Sequence, residues 1–164
     1  MPLKKIVSGG QTGVDRGALD AALEAGVACG GWCPPGRRAE DGVIPGRYPV
    51  RELDHGGYSE RTLRNVLDSD GTAILCYGAI EGGTAHTRDC CVARGKPFLV
   101  IDAVQAPSHD AEAQLSAFIV RENISVLNVA GPRASKWPAA QQYARTVLTL
   151  VLKTTTARQG HRET

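Results

Sequence analysis

The sequence predicts an α/β fold: a doubly wound, mainly parallel five-stranded sheet with helices on both faces, in one domain over residues 1–153. Three observations carry that prediction. Short apolar runs alternate with segments of helical periodicity, and parallel neighbours need such helical crossovers. The run Thr72–Tyr77 is apolar without alternation, the pattern of a strand buried on both faces. Glycine-rich turns follow the first and third runs and lead straight into helices, a device that presents backbone N–H groups and a positive dipole end to an anion.

The first strand is Lys4–Ser8. Ser8-Gly9-Gly10-Gln11-Thr12-Gly13-Val14-Asp15-Arg16-Gly17 then opens a helix over 13–25, with Val14, Ala18, Leu19, Ala22 and Leu23 as its apolar stripe and Gly26 as its stop. Thr12, with Asp15 three residues on, reads as a capping box in which Asp replaces Glu. Val27–Trp32 is a second strand, interrupted by Gly30-Gly31. From Cys33 to Pro49 a proline or glycine recurs every few residues, which precludes a long helix or central strand. Loops this long inside a compact domain are usually functional or disordered. Arg37 and Arg38 are its densest positive charge, either a solvated pair answered by Glu40 and Asp41 or a lid that brings guanidinium groups to an anion.

Ser59–Leu67 is the next helix, capped by Ser59 with Leu63, Val66 and Leu67 facing inward. After the strand Thr72–Tyr77, the loop Gly78–Thr87 opens a helix ending at Arg94. Phe98–Asp102 is the fourth strand, with Asp102 at its carboxyl end. A helix over 111–123 and a strand Ser125–Ala130 follow, and a helix over 139–152 closes the domain. Residues 154–164 read as a polar, flexible tail. Ligands of such sheets bind at the carboxyl ends of strands where the strand order reverses. In an order such as 2-1-3-4-5, the strands bearing the glycine loops would be neighbours at that point.

Composition removes several function classes. A chain of 164 residues buries a core without disulfides or metals, and a formal charge of +2 gives no global attraction to nucleic acid. No run of about 18 apolar residues is present, so no membrane span is expected. The N-terminus has no signal-peptide h-region, and a cytoplasmic location is expected. The cysteines, Cys29, Cys33, Cys76, Cys90 and Cys91, are odd in number and form no CxxC pair. They read as reduced, buried thiols, with no metal site. Gly13 is followed by Val14 where a Walker loop needs Lys. The dinucleotide spacing GxGxxG is missing, strand two lacks a terminal acid, and neither GxSxG nor HExxH occurs.

Several stretches are informative together: Ser8–Arg16, Gly31-Trp32-Cys33-Pro34-x-Gly36-Arg37-Arg38-Ala39-Glu40-Asp41-Gly42, Ser69-Asp70-Gly71-Thr72, Gly82-Gly83-Thr84-x-x-Thr87 and Asn128-Val129-Ala130-Gly131-Pro132-Arg133. On these the chain resembles the putative molybdenum carrier family, part of the Rossmann-like SLOG superfamily that also holds the LOG, or lysine decarboxylase-like, proteins. Pro35 and Ala134 depart from it, standing where relatives are expected to carry lysine and glutamate. The resemblance spans residues 4–152 and implies a nucleotide-type binding fold, a homo-oligomer (dimer or tetramer), and molybdenum cofactor, a phosphorylated pterin carrying molybdenum, as cargo. It also offers an alternative, a LOG-like phosphoribohydrolase acting on nucleotides. Aligning Gly83-Thr84 with the LOG motif PGGxGTxxE puts Thr87 where that motif has its catalytic glutamate, so Asp15 or Glu81 would have to act instead.

The expected function is therefore a binding or carrier protein for a phosphorylated, nucleotide-like small molecule, with neither nucleic acid nor membrane as partner. Gly9, Gly10, Gln11, Thr12 and Gly13 would supply amides and side-chain donors to an anion, and Gly82, Gly83 and Thr84 would do so from the opposite side, beside Thr87. Arg16, Arg37, Arg38 and Arg133 are candidate charge partners, with Asp15 among the binding residues. Asp102 is a candidate acceptor for a hydroxyl or base edge.

Overall fold

Each strand of the main sheet is short, largely apolar and parallel to its neighbours. The computed structural model describes residues 3–160. Its sheet contains β1 (Lys5–Val7), β2 (Ala28–Gly30), β3 (Gly71–Cys76), β4 (Phe98–Asp102) and β5 (Val126–Ala130), in the order β2-β1-β5-β3-β4. β3 is buried at every position, as its unbroken apolar run requires. The helices are α1 (Val14–Glu24), α2 (Tyr58–Leu67), α3 (Gly82–Arg94), α4 (Ser108–Arg121) and α5 (Ala140–Gly160). α1 and α4 pack on α5 in one layer, and α2 packs on α3 in the other.

The strand order differs from the expected 2-1-3-4-5. The last strand, β5, inserts between β1 and β3, pairing Ile6 with Leu127 on one side and Ala73 with Val129 on the other. Ser8 Oγ fixes this junction by donating to Val129 O at 2.7 Å. Counted from β5 as though the chain began there, the order becomes 3-2-1-4-5, the first five strands of the Rossmann order. The reversal point accordingly lies between β5 and β3, whose following helices leave to opposite faces.

The stretch after β2 is a packed excursion, neither a lid nor a disordered loop. Trp32–Cys33 pairs with Arg51–Glu52, and Arg38–Ala39 makes a tight hairpin with Gly42–Val43. Cys33, Ala39, Ile44, Tyr48 and Val50 are buried in one cluster with Leu19 of α1. Arg37 fastens it: Nε donates to Ile44 O, Nη1 to Val50 O, and Nη2 to Pro45 O and Tyr48 O, all between 2.9 and 3.1 Å.

α5 continues beyond the expected end at Leu152. There the hydroxyls of Thr154, Thr155 and Thr156 donate to Leu150 O, Val151 O and Leu152 O, so these polar side chains are satisfied by the helix's own carbonyls. The end of the expected tail, 161–164, lies outside the described residues. No helix among the described residues is long and apolar enough to cross a membrane. The cysteines are free, buried except for a half-buried Cys29, and burial pushes each thiol up.

Candidate functional site

A cavity of about 760 Å³ opens at the carboxyl ends of β1, β5 and β3. Four segments build it: the turn after β1, the first turns of α2, the loop from β3 into α3, and the turn from β5 towards α5. Of the residues expected from the sequence, it brings together Gly9, Gln11, Asp15, Gly82, Gly83, Thr84, Thr87 and Arg133. Both glycine loops therefore reach one crevice, with β5 standing between the strands that bear them.

The turn after β1 does not serve mainly as an amide cradle. The N–H of Gln11 donates to Asp15 Oδ2 at 3.2 Å, that of Thr12 to Gln11 Oε1 at 3.0 Å, and that of Val14 to Pro132 O at 3.2 Å. The expected capping box of Thr12 and Asp15 does not form at α1. Gly13 is the N-cap of α1, and the Thr12 hydroxyl donates to Glu40 Oε1 and accepts from Ala134 N. Thr12 and Gly13 thus join the first loop to the turn after β5. Gly10, at φ 77°, lies beneath Ile44 and Val50, so a bulky residue there would disturb the fold before any ligand.

The remaining expected residues support the walls and lie outside the cavity lining. Arg16 is buried and grips Asp41 through both Nη atoms at 2.6 and 2.8 Å, while its Nε donates to Gly10 O. Hydrogen bonds from Arg16 hold the Asp41 carboxyl below its usual range. Arg37 is engaged as described, and Arg38 lies over the Tyr58 ring at 5.8 Å. Asp102 Oδ1 accepts from Gly78 N and Val104 N, both at 2.9 Å, so it sets the loop after β3. For Glu40, burial opposes ionisation, but hydrogen bonds from Ser135 and Thr12 prevail and hold the carboxyl below its usual range.

The amides open to a ligand are those of α3. Ala85 N is the first to find a helical carbonyl, Glu81 O, and no side chain among the described residues caps this end. That leaves the N–H groups of Gly82, Gly83 and Thr84 at the cavity. A Cβ on Gly83 would meet nothing within 4 Å, so this wall is open space.

Sequence reasoning missed Arg61 and Lys136. Arg61 lies against Gly9, where the missing side chain makes room for it, and Nη1 donates to Gly9 O at 3.1 Å and stands 3.7 Å from Asp15 Oδ2. Burial pushes the Asp15 carboxyl up, opposed by the Arg61 charge and the Gln11 amide. Lys136 shares its turn with Arg133 and Trp137, because Arg133 O accepts from both Lys136 N and Trp137 N. Arg133 itself is 3.9 Å from Glu40 and 42% exposed, leaving it able to turn to a ligand. A signal for Arg61 does exist: Tyr58, Arg61, Thr62 and Asn65 make a polar stripe at helical spacing, and it faces the cavity. Leu67, expected inward, is instead 40% exposed.

Residues 6–152 match the family described as the circularly permutated YpsA SLOG family, a description that agrees with the strand order. No curated protein matches the chain. Among solved structures, a crystal structure from Syntrophus aciditrophicus SB, described as a putative molybdenum carrier protein, is similar in fold and sequence. It is 44% identical, has a TM-score of 0.89, and the match covers 92% of this chain and 96% of that one.

Proposed function

The chain belongs to the circularly permutated YpsA SLOG family, and from that premise we propose that it is a carrier for a phosphorylated, nucleotide-like small molecule. The observation that supports this reading best is the convergence, in one cavity, of the uncapped α3 N-terminus with Arg61, Arg133 and Lys136. Free amides, a helix dipole and guanidinium groups act together on a phosphate, and each charge-assisted hydrogen bond is about twice as strong as a neutral one. The cavity volume of about 760 Å³ suits a small organic ligand.

The similar crystal structure carries the name of a molybdenum carrier, and molybdenum cofactor is the cargo we propose. The cavity offers amides and cations, donors suited to the phosphate of such a cofactor, and its buried Cys76 is held as a thiol. Thr87, where a LOG-like enzyme would need a carboxylate, has its hydroxyl engaged by Gly83 O at 3.0 Å. This favours binding over hydrolysis.

Mass spectrometry and metal analysis of the natively purified protein are expected to find a phosphorylated organic ligand. Replacing Gly83 by leucine fills open space at the cavity wall. It is expected to weaken nucleoside monophosphate binding by about tenfold or more, a loss of roughly 1.4 kcal/mol, while stability shifts by no more than about 0.5 kcal/mol. Unchanged affinity in Gly83→Leu, or release of free base from nucleoside monophosphates, would overturn the carrier reading.

A further inference from the structure

Three aromatic rings run in series from the core to the cavity. Tyr143 of α5 is anchored by its hydroxyl, which donates to Ala106 O at 2.8 Å. Trp137 packs on it at 5.3 Å between ring centroids, and Tyr77 stacks on Trp137 at 5.6 Å with planes 27° apart. Trp137 is 6% exposed, whereas Tyr77 is 61% exposed although one of its faces is covered by Trp137. Both Tyr77 and Trp137 line the cavity. Tyr77 directly follows β3 and Trp137 belongs to the turn after β5, so the stack bridges the two strands that flank the reversal point.

We infer that the open face of Tyr77 is a stacking platform for a planar heteroaromatic ring, the part of the ligand that the cationic half of the cavity does not recognise. This rests on the carrier reading for the phosphate but stands on separate residues. Two observations argue for a ring as occupant. The Tyr77 ring is large, flat and held from behind, so stacking on it orders little that is not already ordered. The platform sits in the same cavity as the anion-binding groups, so one molecule bearing both a ring and a phosphate can engage both.

The test compares adenosine monophosphate, adenosine and ribose 5-phosphate by equilibrium dialysis against the wild type, Tyr77→Ala and Tyr77→Phe. Stacking predicts that the alanine variant loses about five- to a hundredfold in affinity for adenosine monophosphate, that phenylalanine retains it, and that ribose 5-phosphate binding is unchanged. Tyr77→Leu keeps the bulk without the aromatic face and replaces the alanine variant if that fails to fold. Equal losses for adenosine monophosphate and ribose 5-phosphate, or no loss for either, overturn the platform and leave the phosphate site standing. Tyr77-dependent binding of adenosine and adenosine monophosphate with equal affinity, and no binding of ribose 5-phosphate, overturns the phosphate site and leaves the platform standing. A changed oligomeric state in Tyr77→Ala, with ring affinity intact, assigns the ring to a contact between copies and also overturns the inference.

Discussion

Replacing Gly13 by alanine is expected to destabilise the protein by about 3 kcal/mol or more, from a strained backbone of about 1–3 kcal/mol and an overpacked contact of similar size. Gly13 is the N-cap of α1, at φ 82° and ψ −129°, a region closed to residues with a Cβ. An added Cβ would also press on Pro132 O and lie 2.9 Å from Ala134 N and from the Arg133 carbonyl carbon. All of these are backbone atoms, so no side-chain rotation relieves the contact. The turn they belong to carries Arg133, Lys136 and Trp137 into the cavity, so ligand affinity should fall together with stability. Urea unfolding reads the first effect as a lower midpoint at unchanged slope. A midpoint shift worth less than about 1 kcal/mol would mean that the close approach yields easily. Gly83→Leu is the useful contrast, since it should lose binding and keep the midpoint.

The alternation of apolar runs with helical periodicity is enough to place every strand of the main sheet to within about two residues, whereas α3 begins inside the expected loop at Gly82 and α5 runs on to Gly160, eight residues past its expected end. Pairing order was not legible in the same way. β1 and β5 are joined by Ser8 and Val129, which are 121 residues apart, and apolar strands carry no local label of their neighbours. The arrangement depends on where the chain is cut. The tight turn that opens an unpermuted Rossmann half is here Gly131-Pro132-Arg133, near the end of the chain. A fingerprint sought after the first strand therefore looks in the wrong place.

The candidate site divides along a physical line. Glycines at a helix start advertise open amides, and at Gly82-Gly83 they are open. The same residue type at Gly10 and Gly13 reports tight packing instead, and composition does not separate the two uses. Arginines mislead for a related reason. Arg16 and Arg37 look like cations awaiting an anion, yet Arg16 is neutralised by Asp41 and Arg37 is surrounded by carbonyl oxygens that fasten the excursion over 34–50. Arg61 sits in an ordinary-looking helix and proves to be the cation at the floor of the cavity.

That position makes Arg61→Met the most informative single change in charge. Arg61 and Asp15 are 12% and 9% exposed at their side chains, so removing the guanidinium leaves a buried carboxylate and the Gly9 carbonyl without their partner. Breaking a buried pair this way costs about 3–5 kcal/mol at neutral pH. Its dependence on pH identifies the cause. Burial already raises the Asp15 carboxyl above its ordinary value of 3.8, and the Arg61 charge opposes that rise. A carboxyl raised in the folded state holds its proton more tightly than in the unfolded chain, so stability falls as pH climbs from the ordinary value through the folded one. Without Arg61 that window extends to higher pH. The deficit of Arg61→Met should therefore be largest at neutral pH and shrink as the solution is acidified towards the ordinary aspartate range. Adding Asp15→Asn should recover part of it, giving a positive coupling in the double-mutant cycle. A deficit constant across pH would assign the loss to packing of the long side chain against Gly9. Phosphate affinity separates the two roles of Arg61, because acidification can neutralise Asp15 but cannot restore a missing cation to the ligand.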